Sequence, residues 1–453
     1  MGLEKIRAEV VSQIIAELNP EVQGSFLASD PDEVLESSPT FLERFNFIIA
    51  SNMKPQSLKK LAQFCWDKDK VLIIVRSYGM IGYIRLVSKS HDIVEAKLDQ
   101  DIDDLRLSNP WPNLQAFSDE QDFSKMEMKE HSHTPYPAIL IKALKQWREK
   151  NGKNVPASRD EKEAFKESIK DLALSFYEEE NFQEAYNKYF QAIQPSEIPQ
   201  SVQDVFEDEL CKNLNANSND FWFMAAALKQ FVANEGQGTL PVQGRVPDMH
   251  ADTDRYIKLQ TLYRRKARND VNSVRTHLGQ LLKTHGKQSE SISDSDLKDF
   301  CKNACYLRAL HFRSYQDELS SPNKSEIRNH LMNPESAMPH YVMFRAADRF
   351  YEKNNRFPGD DNSNLEADAA ELHKLVKDLL NEYEVEDGSV GDIFDSHVKE
   401  MVRYGACELH NISSLIGGVG GQELIKLCTK QRIPLNNTWI YSGITSHSCT
   451  FEA

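Results

Sequence analysis

The placement of the apolar runs constrains the fold most. "FNFIIAS" at 45–51 and "KVLIIVRS" at 69–76 are compact apolar stretches of strand length. Between them "PQSLKKLAQFCWDKDK" carries apolar residues at helical spacing, with Pro55 suited to a first helical turn. Strand, helix, strand with continuously apolar strands predicts a parallel sheet covered on both faces. "GYIRLVSK" after Gly79 predicts a further paired strand, and "GLEKIRAEVVSQIIAELN" predicts a helix that stops before Pro20. The stretch 98–130 is acidic and punctuated by prolines, and reads as a crossover linker. From about 134 to 402 the pattern is helical almost throughout, broken by loops such as "EGQGTLPVQGRVPD" and "NNRFPGDDNSN". Strand signals return only in "TWIYSGI" and "SHSCTFEA". A sheet that opens the chain and closes it implies one discontinuous domain, completed by its last residues around a large helical insertion.

Composition narrows the function classes. The 453 residues carry a formal net charge of −15, which disfavours nucleic acid or an anionic membrane as partner. No apolar run approaches the ~18 residues that span a bilayer. The mixed charges of "MGLEKIRAEVV" do not make a signal peptide, and Ile6 stands where myristoylation after Gly2 wants Ser or Thr. Seven cysteines at scattered spacings suit reduced thiols, hence cytoplasm and nucleus. Cys301 and Cys305 would share a helix face, but no further ligands stand nearby, so two small core residues are expected rather than a zinc site.

Gly417, Gly418, Gly420 and Gly421 lie within "LIGGVGGQELIKLC". A dinucleotide loop needs a strand before it and a helix after it. "CELHNISSL" reads as helix instead, and Glu423 occupies the place of the third glycine. No G-x-x-x-x-G-K-[ST] occurs either. The glycines therefore read as close-packing positions within or between helices.

Three other patterns invite chemistry. His131-Ser132-His133 could ligate a metal on a strand, but the junction suggests Thr134 as a helix cap with proline in the first turn. Glu408 and His410 form an acid–base pair only if they face one way, which a spacing of two on a helix forbids. "RYIKLQTLYRRKAR" at 255–268 reads as an amphipathic helix, with Tyr256, Leu259, Leu262 and Tyr263 inward and a solvated basic face.

Several stretches resemble, in order along nearly the whole chain, the regulatory subunits of neddylation-activating enzymes. These are "SYGMIGYIRLV", "DLRLSNPWPNL", "HSHTPYPAILIKAL", "EGQGTLPVQGRVPDMHADTDRYIKLQTLYRRKA" and "RYGACELHNISSLIGGVGGQELIKL…NNTWIYSG". The 235–267 stretch is the most specific, whereas "IGGxxxQExIK" is shared more widely among ubiquitin-like-activating enzymes. The resemblance implies an α/β plus α architecture. A ThiF/MoeB-like (Rossmann-like) pseudo-adenylation domain, truncated at its N-terminus, would occupy 1–123 and 403–453. A helical insertion, like a catalytic-cysteine domain without its cysteine, would occupy 124–402. The family's first β-α-β unit, roughly 30 residues, would precede the helix resembled by "MGLEKIRAEVVSQIIAELNPEV", so an open sheet edge is expected.

The resemblance further implies a non-catalytic subunit. Active members place an Asp after the strand matched by "FNFIIAS" to serve ATP and magnesium, whereas here Ser51, Asn52 and Lys54 follow. No cysteine lies between 88 and 140, where the catalytic subunit carries one at its crossover. The expected partners are therefore the catalytic subunit and a NEDD-type ubiquitin-like modifier, with ATP and magnesium on the partner and no cofactor, metal or catalytic residue here. The implied partner interface is Asp248, Met249, His250, Ala251, Asp252, Tyr256, Ile257, Lys258, Leu259, Gln260 and Thr261, carried by Met249, Tyr256, Ile257 and Gln260. The glycine-rich segment would serve domain packing. Two rival readings remain: an interaction protein or inhibitory truncated form without catalytic support, and a stand-alone nucleotide-dependent enzyme.

Overall fold

The computed structural model describes residues 5–94, 104–288, 291–361, 364–385 and 391–453. Met1–Glu4 and residues 95–103, which include the start of the linker expected from 98, lie outside them. The chain forms two compact units. One comprises Met1–His91, Leu310–Thr429 and Ile433–Ala453; the other comprises Asp92–Ala309 and Lys430–Arg432.

The first unit is mixed α/β. Its sheet is built from β1 (Phe47–Ser51), β2 (Val71–Tyr78) and β3 (Ile81–Val87), rejoined by β6 (Thr438–Ser442) and β7 (His447–Phe451); the short strands β4 (Ser90–Ile93) and β5 (Arg308–His311) lie where the chain leaves and re-enters this unit. The order is β1-β2-β3-β6-β7. In this sheet β1 and β2 run parallel, and the pairs β2–β3, β3–β6 and β6–β7 are antiparallel. The expected parallel sheet is thus a mixed one. The reason is local. A helix, Pro55–Asp67, carries the chain from β1 back to start β2, but only Gly79 and Met80 separate β2 from β3. So short a turn reverses the strand. Gly79 adopts φ +55°, and a Cβ there would stand 2.1 Å from the Tyr404 ring, so two constraints require glycine.

At β2 and β3 both sheet faces are covered, and the strands alternate between them, whereas at the edge strand β1 Ile49 stays exposed. Leu72 and Ile74 join one core with Leu58, Leu61 and Cys65 of the Pro55–Asp67 helix and with the helix Met338–Asn354. Ile73, Val75, Ile84 and Leu86 face the opposite way, onto Ile412, Ile416 and Leu427. Those three belong to the helix His410–Thr429, which runs unbroken through the four glycines rather than being helical only at its ends. The helices of 310–404 share the sheet's core, and buried ion pairs fasten them. Arg85 meets Glu318, which also accepts from the Tyr341 hydroxyl at 2.9 Å. These compact units divide the chain after His91 and before Leu310, a different division from the expected boundaries at 123/124 and 402/403.

The second unit is helical, with two cores. One gathers the helix Asp220–Ala233 with Val274, Leu278 and Leu282; the other gathers the helix Tyr136–Asn151 with Leu259 and Tyr263. The helix Thr253–Thr284, 32 residues long, supplies side chains to both. The segment read as a linker is packed from Asp104 onward. Leu105, Leu107, Leu114 and Phe117 are buried, the last two on a helix, Pro112–Asp119. Asp119 and Glu120 face solvent while Leu105, Leu107, Leu114 and Phe117 enter the core, a division that net composition conceals.

Candidate functional site

The segment singled out as an interface forms a turn and the first turns of the long helix. Asp252 is the N-cap, its carboxylate accepting from Arg255 N at 2.8 Å. Such a cap satisfies a donor the helix leaves free. Arg255 returns across the turn to Asp252 Oδ2 at 2.9 Å and to the carbonyl of Glu130 at 3.0 Å. Asp252 N donates to the His133 carbonyl at 3.1 Å. His250 N donates to Glu184 Oε2 at 3.1 Å, and its ring Nδ1 lies 3.0 Å from Glu180 Oε2. The turn is therefore held from two sides, by the 130–133 turn and by the helix Glu180–Asn187.

Within this frame the named residues divide. Asp248, His250, Ile257, Lys258 and Thr261 are exposed, and Ile257 shows 53% of its surface. Met249, Ala251, Asp252, Tyr256 and Gln260 are half-buried. Leu259 is fully buried and offers no surface to a partner; it anchors the helix instead. Tyr263 anchors it too. Its hydroxyl donates to the Leu105 carbonyl, its ring meets Trp111 edge-on at 4.9 Å, and burial pushes its phenol well above the ordinary tyrosine range. Tyr256, read as inward with Leu259 and Tyr263, sits at the margin of that face.

The other patterns come apart. His131 is buried with its Nδ1 against the Glu179 carboxylate and its ring stacked on Phe182 at 4.7 Å. The His133 ring turns to the Lys129 carbonyl at 2.8 Å, so the two histidines do not converge. Thr134 does not cap the next helix; it donates back to the Glu130 carbonyl, and the N-cap is Pro135. Pro137 takes the first turn. Cys301 lies on one helix and Cys305 on a separate turn, and burial raises the Cys301 thiol to about 12. Glu408 precedes the helix that His410 begins. Among the described residues no three His, Cys, Asp or Glu side chains gather as a metal site would need, and no helix is long and apolar enough to cross a membrane.

Two features bear on nucleotide chemistry. After β1, Asn52 adopts φ +46°, and its side-chain oxygen accepts from Ser77 N at 3.0 Å. Lys54 pairs with Asp32 at 3.2 Å. The turn that could serve a magnesium ion thus offers a committed amide and a cation, both poor ligands for it. Among the four glycines, Gly420 alone lies against the sheet, where a Cβ would stand 3.3 Å from Val75. Gly417, Gly418 and Gly421 have open space at that position, so packing within the chain engages only one of the four.

No protein-family model matches the chain. Curated proteins do. It is 39% identical to the NEDD8-activating enzyme E1 regulatory subunit of Gallus gallus, over 98% of this chain and 84% of that one. The Danio rerio protein of the same name is 38% identical over 100% and 85%. The chain belongs to the family of NEDD8-activating enzyme E1 regulatory subunits. Another member, the regulatory subunit AXR1 of Arabidopsis thaliana, is 38% identical over 98% of this chain. Sequence reasoning missed Glu180 and Glu184, which position the 248–252 turn although Glu184 is 66 residues from His250. No local spacing carries such a signal; only the acidic run before Asn181 hints at it.

Proposed function

We propose that this chain is the non-catalytic half of a heterodimer that activates a NEDD8-type modifier. The partner subunit would bind ATP and magnesium, adenylate the modifier's C-terminus and receive it as a thioester. The observation carrying this reading is the order-preserving match to regulatory subunits over 98% of the chain. The turn after β1, with Asn52 committed to Ser77, supports an absence of nucleotide chemistry here. The first unit is read as a pseudo-adenylation domain of the ThiF/MoeB type, a reading supported by β6 and β7 returning from the end of the chain to the sheet begun by β1.

The contact with the catalytic subunit is assigned to the turn 248–252 and to Tyr256, Ile257, Lys258, Gln260 and Thr261. The turn is held in shape before any partner arrives, which lowers the ordering cost of binding. The free cysteines suit cytoplasm and nucleus. Co-purification with the catalytic subunit, followed by thioester formation on the modifier with ATP, tests the function. A stable complex that forms thioester is the expected result, and measurable ATP affinity of the isolated chain would contradict it.

A further inference from the structure

The exposed face of the long helix is an unneutralised cationic stripe. Ile257, Thr261, Arg264 and Arg268 follow one another at four- and three-residue steps, with Arg265 beside them, so all five share one side of the helix. All five are exposed. Other arginines of the chain, Arg255, Arg275, Arg349 and Arg356, each meet a carboxylate. Arg264, Arg265 and Arg268 meet none among the described residues, and the positions four before or after them offer only Gln260, Thr261, Arg264, Arg268, Asn269 and Asn272. The neighbouring bases are spent: Lys258 pairs with Glu120 and Lys266 with the buried Asp270. Asp254, the acid on the same side, precedes Arg264 by about 15 Å along the axis at 1.5 Å per residue. Arg264 and Arg268 repel one another across one turn, an arrangement that does not serve the isolated helix.

We propose that this stripe docks an acidic segment of the catalytic subunit, extending the contact proposed above along two further turns of the helix. The inference rests on that reading of 248–261, with which the stripe is continuous through Ile257 and Thr261. Charge decides the class of partner. Guanidinium groups with free donors suit bidentate contact with Asp and Glu carboxylates. A long polyanion such as nucleic acid would meet the field of a chain at −15, whereas an acidic protein segment brings its charge only to the stripe. Exposed charges at the border of an interface act mainly on the rate of encounter and on its salt dependence.

The test uses the full chain and the catalytic subunit in a kinetic binding assay, between roughly 0.05 and 0.3 M salt. Wild type is compared with the triple variants Arg264→Glu/Arg265→Glu/Arg268→Glu and Arg264→Lys/Arg265→Lys/Arg268→Lys. The expected result is an association rate ~10-fold lower at low salt for the glutamate variant, with its salt dependence flattened or inverted and its dissociation rate nearly unchanged. The lysine variant should keep most of the rate and the salt dependence. If wild type binds while the glutamate variant matches it in rate and salt response, the stripe proposal is wrong and the reading of 248–261 stands. If wild type fails to bind the catalytic subunit at all, both fall. Duplex DNA or RNA captured by wild type and released by the glutamate variant would overturn the protein assignment. All three positions are exposed, and matching thermal melts verify that each variant is folded.

Discussion

Arg76 and Asp348 face each other through two parallel hydrogen bonds, 2.7 and 3.0 Å, with both side chains buried. Arg345 joins at 3.4 Å, and the Arg76 guanidinium lies 4.9 Å from the Phe344 ring. The pair joins β2 to the helix Met338–Asn354. Removing a carboxylate shared by two buried guanidinium groups leaves both unmatched, whereas removing one guanidinium leaves the carboxylate its other partner. Asp348→Ala should cost about 3–5 kcal/mol, and Arg76→Met, which leaves Asp348 paired with Arg345, clearly less. Denaturant unfolding followed by a probe in the first unit measures both, and equal losses would refute the assignment.

His340 predicts a pH response. It is buried, with its ring 4.8 Å from His397; burial first, then the neighbouring imidazole, lowers its pKa to about 3. The unfolded chain holds this group near 6.5. The folded state therefore binds fewer protons, and the stabilising contribution is complete above pH 6.5 and lost as pH falls toward 3. Between pH 7 and 5 the loss should reach about 2 kcal/mol. In His340→Met that component should vanish, so its unfolding midpoint should change less over the same interval.

The glycines of the His410–Thr429 helix separate folding from assembly. At Gly417 and Gly418 an added methyl meets open space, so Gly417→Ala or Gly418→Ala should stabilise the isolated chain by about 0.5–1 kcal/mol. At Gly420 the methyl would press on Val75 at 3.3 Å, which should offset that gain. Thermal melts of the three single variants give the order. A variant that gains stability alone yet binds the catalytic subunit more weakly would mark the open face as a contact.

The interface assignment rests most directly on Ile257. An exposed isoleucine that becomes covered contributes through area removed from water, so Ile257→Asp should weaken the complex by about 1.5–3 kcal/mol while leaving the melt of the isolated chain unchanged. Leu259→Ala should do the reverse, costing about 2–5 kcal/mol of fold stability because it empties a core position. Titration calorimetry alongside melting distinguishes the two.

The strands β1, β2 and β3 were legible because their apolar runs are short and compact; in β2 that run is buried on both faces, whereas in the edge strand β1 it leaves Ile49 exposed. Strand direction was not, because it depends on the two-residue turn Gly79-Met80, whose reversal the apolar pattern of the flanking strands does not register. The helix through Gly417–Gly421 was obscured for the opposite reason: glycine weakens helical propensity, yet Ile412, Ile416 and Leu427 bury one side and prevail. In the interface segment, period alone separated Leu259 and Tyr263 from the basic side. It could not show that Glu180 and Glu184 hold the turn, since that contact joins distant parts of the chain.

The long helix has one further consequence. At 1.5 Å per residue its 32 residues extend about 48 Å, with Leu259 and Tyr263 seated at one end and Val274 to Leu282 at the other. A rod clamped at both ends cannot swing. Damage to the far clamp, at Val274 or Leu278, should therefore be felt at Ile257, several turns away, as a loosening of the face proposed for docking, which faster amide exchange there would report.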